Sequence, residues 1–437
     1  MTYHPVDVVE VHAWGTRVGA VALNPATGVY AFEYAPEWVA RGIELAPLHM
    51  PLRRRPYEFP ELPRPTFYGL PALLADALPD AFGNALVNAW MAQQGIAAGD
   101  ITPLDRLAYA AARGMGALEF RPAARAGTEP VASAVQLADL VLAARRTVRG
   151  ELVGDESAHG ALQQLIQVGT SAGGARAKAV VAFNPDTYQV HSAYEPLGDG
   201  FEQWLIKLDG VSGTGMDGHG DRLGESAPYG RIEYAYHLMA TAAGVHMMPS
   251  LLLDEGPRRH FMTKRFDRGP LGERVHVISL CALAHLDYNL IAAHSYDQYL
   301  ETTTALGLDK DALAQAFRRM VFNVAAVNND DHTKNFAFVR REGAAWELAP
   351  AFDVTHAYRP DSPWTSRHLL AVNGAFAGVE LSDIYAVGER HRVPAFRRVV
   401  REVLSAVDAW PEYAAQAGVD DETTRAIARD TEAQRPC

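Results

Sequence analysis

The chain has 437 residues, of which 48% are hydrophobic and 21% charged, a composition typical of a globular protein with two or three lobes. Its formal net charge of −12 argues against direct binding of nucleic acid, because phosphate contacts need clustered lysine and arginine. Only Cys281 and Cys437 are cysteines, which argues against a disulfide framework or a thiolate zinc site and suits a reducing cytosol. We also expect no export signal and no membrane span, since neither pattern occurs.

The N-terminal part shows strand patterns first. Alternating apolar residues predict a small antiparallel sheet between positions 8 and 34, and a proline-rich loop follows over residues 47–65. Helical spacing then returns around residues 86–93, and an alanine-rich, polar stretch at 121–133 is typical of a linker. We therefore expect a first, β-rich subdomain over residues 1–125.

A loop of small residues follows the next predicted helix. Helical spacing over residues 134–168 stops at residues 169–178, ahead of a strand at 179–183. Backbone N–H groups in such a loop can approach phosphates closely. The loop is neither a Walker A sequence nor the usual glycine-rich loop of protein kinases. A tight turn between a helix and a strand remains the alternative interpretation.

A lysine stands inside the next apolar strand. Residues 201–208 read as a strand that contains Lys207 between leucine and isoleucine, where an ammonium group must be paired if it is buried. The side chain either reaches solvent or, in a kinase, faces nucleotide phosphates and a helix carboxylate. Glu233, in the first turn of the following predicted helix, is the candidate carboxylate. A hairpin is predicted over residues 249–266.

The most informative spacing lies near position 330. Asp330 stands five positions before Asn335, and a short strand pair then leads to Asp353. Kinase-type sites use this spacing to place one catalytic base and two Mg²⁺ ligands. Asp330 is therefore the candidate base, and Asn335 and Asp353 are the candidate metal ligands. The alternative is a simple turn over residues 329–331, since Asn and Asp favour turns.

The order of these elements is that of a bilobal kinase: loop, lysine strand, glutamate helix, hairpin, helices, catalytic loop and metal aspartate. It predicts a kinase N-lobe-like region over residues 134–266 and a helical C-lobe over residues 267–437. The chain resembles the HipA family of serine/threonine protein kinases, the toxin half of HipA/HipB-type toxin–antitoxin pairs. The resemblance covers most of the chain and rests on motifs at residues 78–80, 116–118, 171–178, 205–207, 265–268, 330–336 and 348–353.

The resemblance implies an α+β, protein-kinase-like (HipA-like) fold, with ATP and Mg²⁺ as cofactors and protein hydroxyls as acceptors. It implies the roles that the spacing also indicates, with Asp330 as the base and Asn335 and Asp353 as the metal ligands. It also implies that Lys334 neutralises the γ-phosphate and assists catalysis. His332 would orient or pack within the nucleotide site.

On the nucleotide side, the resemblance implies contacts from one loop and two strands: Ser171, Gly173, Gly174, Lys207, Lys264, Arg265 and Phe266. Ser171 resembles the loop serine that family members autophosphorylate, and the added charge would expel the loop from the phosphate site. Lys264 departs from the acidic residue expected there, which leaves the adenine contact open. The glycine-rich stretch after Asp209 is a second departure from the family pattern.

The leading hypothesis is an ATP- and Mg²⁺-dependent serine/threonine protein kinase that also phosphorylates Ser171. The alternatives are a kinase-fold phosphotransferase acting on small molecules, and a non-catalytic module that binds an antitoxin as a corepressor. By resemblance only, the partner is a small helix-turn-helix, HipB-like antitoxin, through which the chain would meet DNA. Some family members act on aminoacyl-tRNA synthetases, which makes such an enzyme a candidate substrate.

Overall fold

The computed structural model divides the chain into two compact units. The first comprises Met1–Ala227 and Leu253–Val277, and the second comprises Pro228–Leu252 and Ile278–Cys437. The structure describes residues 5–122, 139, 141, 143–144, 177–193, 200–209, 211, 229–256, 258–270 and 272–437. The predicted helix over residues 134–168 and most of the small-residue loop after it therefore lie outside the described residues.

The first unit begins with an antiparallel sheet of four strands: β1 (Val8–Ala13), β2 (Thr16–Asn24), β3 (Val29–Tyr34) and β4 (Leu118–Arg121). Their order is β3-β2-β1-β4. The first three strands are those that the alternating apolar residues predict. The fourth was missed, because its pairing with β1, for example Val11 opposite Phe120, joins segments more than a hundred positions apart.

The described residues of this unit also form five α-helices. They are α1 (Pro36–Arg41), α2 (Arg64–Phe67), α3 (Ala72–Ala75), α4 (Ala81–Gln93) and α5 (Pro103–Ala110). The side chain of Asp80 accepts a hydrogen bond from Gly83 N, and Thr102 forms a capping box with Asp105, so α4 and α5 both begin at satisfied N-caps. Trp38 on α1 is fully buried, which ties that helix to the core.

A second sheet completes the first unit. Its strands are β5 (Lys178–Phe183), β6 (Val190–Ser192), β7 (Glu202–Lys207), β8 (Ser250–Glu255) and β9 (Arg258–Lys264). They lie in the order β6-β5-β7-β9-β8, and all six residues of β5 are buried. The strand predicted around Lys207 is β7, and the predicted hairpin is formed by β8 and β9.

The second unit is mostly helical. Its helices are α6 (Tyr229–Ala242), α7 (Leu280–Ala284), α8 (Tyr296–Ala305), α9 (Lys310–Ala325), α10 (Leu381–Arg390), α11 (Phe396–Asp408), α12 (Trp410–Ala417) and α13 (Asp421–Ala433). Helix α9 packs against α8 and α11, and α6 packs against α12. The rings of Tyr236 and Trp410 lie 5.3 Å apart within this buried interior.

Short strands surround the loop that follows α9. They are β10 (His276–Ser279), β11 (His294–Ser295), β12 (Ala337–Arg340), β13 (Trp346–Leu348) and β14 (Leu370–Ala371). One sheet has the order β10-β12-β13, and β11 pairs in parallel with β14. The strand pair predicted between Asn335 and Asp353 is β12 and β13.

The predicted fold class is confirmed: the protein is α+β, with a β-rich N-terminal region and a largely helical C-terminal region. The predicted division into residues 1–125, 134–266 and 267–437 stays a prediction. Unexpectedly, Pro228–Leu252, which includes the predicted glutamate helix, groups with the C-terminal residues. Within the described part of the chain, no helix is both long enough and apolar enough to cross a membrane.

Candidate active site

Helix α9 leads directly into the candidate catalytic loop. It begins at Asp309, whose side chain accepts a hydrogen bond of 2.8 Å from Ala312 N. The helix stops because Val327 adopts a φ of 56°, a left-handed conformation that is unfavourable for a β-branched residue. Two backbone hydrogen bonds of 3.1 Å, from Ala357 N to Val327 O and from Asn329 N to Ala357 O, stabilise this turn.

A chain of polar side chains fixes the loop to α8 and α9. The Tyr296 hydroxyl donates to Asp331 Oδ2 at 2.7 Å, and Asn323 Nδ2 donates to the same hydroxyl at 3.0 Å. Asn328 Nδ2 in turn donates to Asn323 Oδ1 at 3.0 Å. Burial, together with the charge of Asp331, raises the pKa of Tyr296 well above its ordinary value. The hydroxyl therefore stays protonated and keeps donating.

Asp331 is the buried anchor of this loop. Its side chain has no solvent exposure, and besides Tyr296 it accepts hydrogen bonds from His368 Nδ1 at 2.9 Å and Leu369 N at 2.7 Å. A buried carboxylate is tolerated only when donors surround it in this way. Asp331 therefore holds the loop through residues distant in the sequence and not through a local turn, while the side chain of Asp330 has other partners.

Asp330 remains partly open to solvent, with 41% of its side chain accessible. Trp364 Nε1 donates to its Oδ1 at 2.7 Å, and His332 Nε2 lies 3.8 Å from the same oxygen. Burial raises the pKa of Asp330, while the charge of His332 and the hydrogen bond from Trp364 lower it. The negative charges of Asp353 and Asp331 add to the rise, and the net pKa is above the ordinary aspartate value. These contacts leave Oδ2 as the oxygen available to a reactant.

The two candidate metal ligands line the same cavity. Asn335 Nδ2 donates to the backbone carbonyl of Asp330 at 2.8 Å, so its Oδ1 is the group left to bind a cation. Asp353 adopts a φ of 51°, which aspartate tolerates better than most residues. The Arg319 guanidinium, which donates to Ala349 O, supports the segment that leads to Asp353.

This donor set fits Mg²⁺. The ion prefers a small number of protein oxygens and completes its octahedral shell with water and phosphate oxygens. Asn335 and Asp353 supply one amide oxygen and one carboxylate. The described residues contain no group of three or more His, Cys, Asp or Glu that could hold a metal.

His332 and Lys334 lie on an aromatic patch of the loop. The His332 ring is 5.5 Å from the Tyr288 ring and 6.1 Å from the Trp364 ring, and Lys334 Nζ is 4.9 Å from the centre of the Tyr288 ring. Such cation–π and ring contacts position both side chains. A packing role for His332 agrees with these contacts, and a phosphate role for Lys334 stays a prediction.

The structure describes only some of the first-unit residues that are predicted to contact the nucleotide. Ser171, Gly173 and Gly174 lie outside the described residues. Lys207 ends β7 with its Nζ 5.9 Å from the centre of the Phe261 ring. Its contact with a nucleotide stays a prediction.

Lys264 and Arg265 are engaged within the first unit. Lys264 Nζ pairs with Glu202 Oε1 at 2.6 Å on the neighbouring strand, which accounts for a lysine where an acidic residue was expected. Arg265 is buried and pairs with Asp267 at 2.6 Å. The guanidinium therefore stabilises the fold, and contact of the segment from Lys264 to Phe266 with adenine stays a prediction.

The Arg265-Phe266-Asp267-Arg268 motif has a structural role that spacing did not suggest. Asp267 is fully buried, pairs also with Arg268 at 2.7 Å, and accepts from Gly116 N at 2.7 Å. Burial alone would raise the pKa of Asp267, but the charges of Arg265 and Arg268 outweigh it and lower the pKa well below its ordinary value. A hydrogen bond thus joins the Gly116 motif to an ion-pair cluster 151 positions away.

Two family models match the chain. One, the HipA N-terminal domain, matches residues 9–121. A second, the HipA-like C-terminal domain, matches residues 170–434, which is more than half of the chain and includes the whole candidate catalytic loop. The fold is thus that of a HipA-like α+β protein. The chain belongs to the HipA family.

Solved structures also resemble the chain. The HipA, HipB and operator DNA complex of the Shewanella oneidensis MR-1 toxin–antitoxin system matches with a TM-score of 0.64 and 15% identity, over 98% of this chain and 95% of that one. The Helicobacter pylori proinflammatory kinase CtkA has a TM-score of 0.30 and 12% identity over 53% of this chain and 91% of its own, too low to establish a shared fold. No curated protein matches the sequence.

Proposed function

We propose that the protein is an ATP- and Mg²⁺-dependent serine/threonine protein kinase of the HipA toxin type. The observation that carries the proposal is the shared cavity of Asn335 and Asp353, with Asn335 hydrogen-bonded to the backbone of Asp330. A base and two cation ligands in this arrangement are the smallest set that supports phosphoryl transfer to a hydroxyl. Family membership supports the same reaction.

Asp330 accepts the proton of the acceptor hydroxyl in this proposal. Trp364 and His332 hold its Oδ1, so Oδ2 faces the acceptor. The raised pKa of Asp330 brings it closer to that of an effective general base at neutral pH. Asn335 and Asp353 hold Mg²⁺, which, when bound, neutralises charge on the nucleotide phosphates.

Ser171 is the proposed autophosphorylation site and lies within the part of the chain that matches the HipA-like C-terminal domain. A phosphate on this loop adds about two negative charges beside the nucleotide phosphates, which favours release of the loop. We propose in addition that the partner is a small, HipB-like DNA-binding protein. The Shewanella complex contains HipB and operator DNA, and a net charge of −12 suits a basic partner.

The test is phosphoryl transfer from γ-labelled ATP by the purified chain to itself and to a pool of serine- and threonine-containing peptides. We expect label on both, loss of both with Asp330→Asn, and full activity with Asp361→Asn, an exposed aspartate in the same unit. Ser171→Ala should remove self-labelling while peptide labelling continues. Equal labelling by the wild type and Asp330→Asn would contradict the proposal. Label found only on hydroxylated metabolites would indicate a small-molecule phosphotransferase.

A further inference from the structure

An uncharged, exposed loop lies close to the candidate catalytic loop. Residues 289–293 read Asn-Leu-Ile-Ala-Ala, and all five are exposed. Leu290 and Ile291 keep 50% and 39% of their surface in solvent, and among the described residues they are the one pair of sequence neighbours that are both large, hydrophobic and exposed. Contiguous apolar residues left in water are candidates for a partner contact.

Hydrogen bonds hold this 289–293 loop at both ends. Asp287, a buried residue, accepts from Asn289 N through its side chain at 2.9 Å and from Leu290 N through its backbone at 3.2 Å. On the far side, His294 Nε2 donates to the same Asp287 carbonyl at 2.9 Å. The apolar tip is therefore presented on a closed, well-anchored turn, which lowers the ordering cost of a contact.

The base of the loop touches the catalytic loop. Thr333 Oγ1 donates to Leu286 O at 2.7 Å, and the Tyr288 ring lies 5.5 Å from the ring of His332. Two Cα–Cα steps place the Cα of Leu290 within roughly 8 Å of the Cα of Tyr288. His332 Nε2 lies 3.8 Å from Oδ1 of Asp330, so the residue that precedes the 289–293 loop contacts a neighbour of the candidate base.

We propose that the 289–293 loop docks the segment of a protein substrate that flanks the acceptor hydroxyl, with Leu290 and Ile291 selecting a large apolar side chain there. The inference rests on the proposed kinase function. An extended peptide advances about 3.3 Å per residue, so the selected side chain stands a few positions from the acceptor. A charged side chain would lose water here without gaining a partner from the loop, whereas an apolar one gains from being buried.

The experiment is a positional-scanning library of serine- and threonine-centred peptides, with γ-labelled ATP and the full-length chain. The wild type should favour Leu, Ile, Met or Phe over Ser, Asp and Lys at one flanking position by about tenfold, the factor that corresponds to burying one or two methylene groups. Leu290→Ser combined with Ile291→Ser should reduce this preference to about twofold or less. The same variant should keep its labelling of Ser171 and its KM for ATP.

Leu23→Ser is the matched control, because Leu23 is 49% exposed on β2 in the first unit and should leave the preference intact. Circular dichroism melting checks that the double variant is folded. A wild type without apolar preference, or a double variant that retains it, overturns the inference while leaving kinase activity demonstrated. If the double variant alters only the oligomeric state, the loop is a contact between copies and the inference is also overturned. Absence of any transfer by the wild type rejects the proposed function instead.

Discussion

Trp364 Nε1 donates a 2.7 Å hydrogen bond to Oδ1 of Asp330, although the two residues are 34 positions apart. Asn329 Nδ2, which donates to Thr365 O at 3.1 Å, helps to hold the Trp364 segment beside the loop. An indole N–H can donate but cannot accept and does not titrate, so Trp364 is the donor and Oδ1 of Asp330 is the acceptor. It assigns Trp364 the role of positioning the candidate base.

Trp364→Phe keeps an aromatic ring and removes only the N–H. We expect kcat to fall about tenfold, equivalent to about 1.4 kcal/mol, because the carboxylate loses its fixed orientation. The KM for ATP should stay the same, since Trp364 contacts the base and not a metal ligand. Trp346→Phe, on β13, is the control and should retain wild-type kcat. An unchanged kcat in Trp364→Phe would show that the hydrogen bond does not matter for catalysis.

Substitution of Asp330 should affect activity, whereas substitution of Asp331 should affect stability. Asp330→Asn should abolish transfer and change the free energy of unfolding by less than about 1 kcal/mol, because the side chain is 41% exposed. Asp331→Asn should lower the free energy of unfolding by about 2–4 kcal/mol, because the variant loses a buried acceptor of three hydrogen bonds. Urea denaturation provides the energies. If Asp331→Asn were as stable as the wild type, the anchoring role would be wrong.

The Asp267 cluster predicts a pH dependence of stability. The pKa of Asp267 is lower in the folded chain than in the unfolded one, so its contribution is complete above the unfolded pKa of about 3.9. That contribution is lost as the pH falls from there toward the folded pKa. Asp267→Asn should be less stable by about 3–5 kcal/mol at pH 7, because Arg265 and Arg268 are left without their partner.

Thermal denaturation between pH 7 and pH 3 measures this dependence. The difference between the wild type and Asp267→Asn should shrink as the pH falls below about 4, because the unfolded wild type then binds a proton at Asp267 while the folded carboxylate stays ionised. Asp254→Asn, in the β8–β9 hairpin and with 69% of its side chain exposed, serves as the control for loss of one carboxylate. A constant difference across this range would show that Asp267 does not titrate in the way that its surroundings require.

Substitution of Lys264 tests whether its side chain contacts the nucleotide. Its pair with Glu202 is about one-third exposed, so Lys264→Met should lower the free energy of unfolding by no more than about 1 kcal/mol. If Lys264 serves only this pair, Lys264→Met and Glu202→Gln should change the KM for ATP equally little. A rise in the KM for ATP in Lys264→Met alone, measured by initial rates, would reveal a direct nucleotide contact.

Local patterns predicted several secondary-structure elements of the described chain, although not the four C-terminal helices. Alternating apolar residues are sufficient to place β1 to β3, and the apolar spacing of α9 indicates a helix that delivers the chain to the loop. The position of Lys207 inside a strand was accessible in the same way. These features depend only on neighbours within a few positions, which a single sequence records.

Contacts between distant segments could not be predicted. No spacing rule connects Trp364 with Asp330, or Gly116 with Asp267, because the intervening chain length leaves their approach undetermined. Burial of Asp331 beside an open Asp330 depends on three donors from two distant segments of the chain. The sequence offers one signal, which is that Asp330 and Asp331 are adjacent. If one of them is catalytic, the other needs a different role.

The central claim is that Asn335 and Asp353 hold a divalent cation together with a nucleotide, next to Asp330. Binding of Mn²⁺ in the presence of a non-hydrolysable ATP analogue, followed by electron paramagnetic resonance, tests it most directly. The wild type should bind one nucleotide-dependent Mn²⁺, and Asn335→Ala and Asp353→Ala should each weaken binding by about tenfold or more. Asp361→Asn should bind as the wild type does. Undiminished Mn²⁺ binding in both alanine variants would contradict the account.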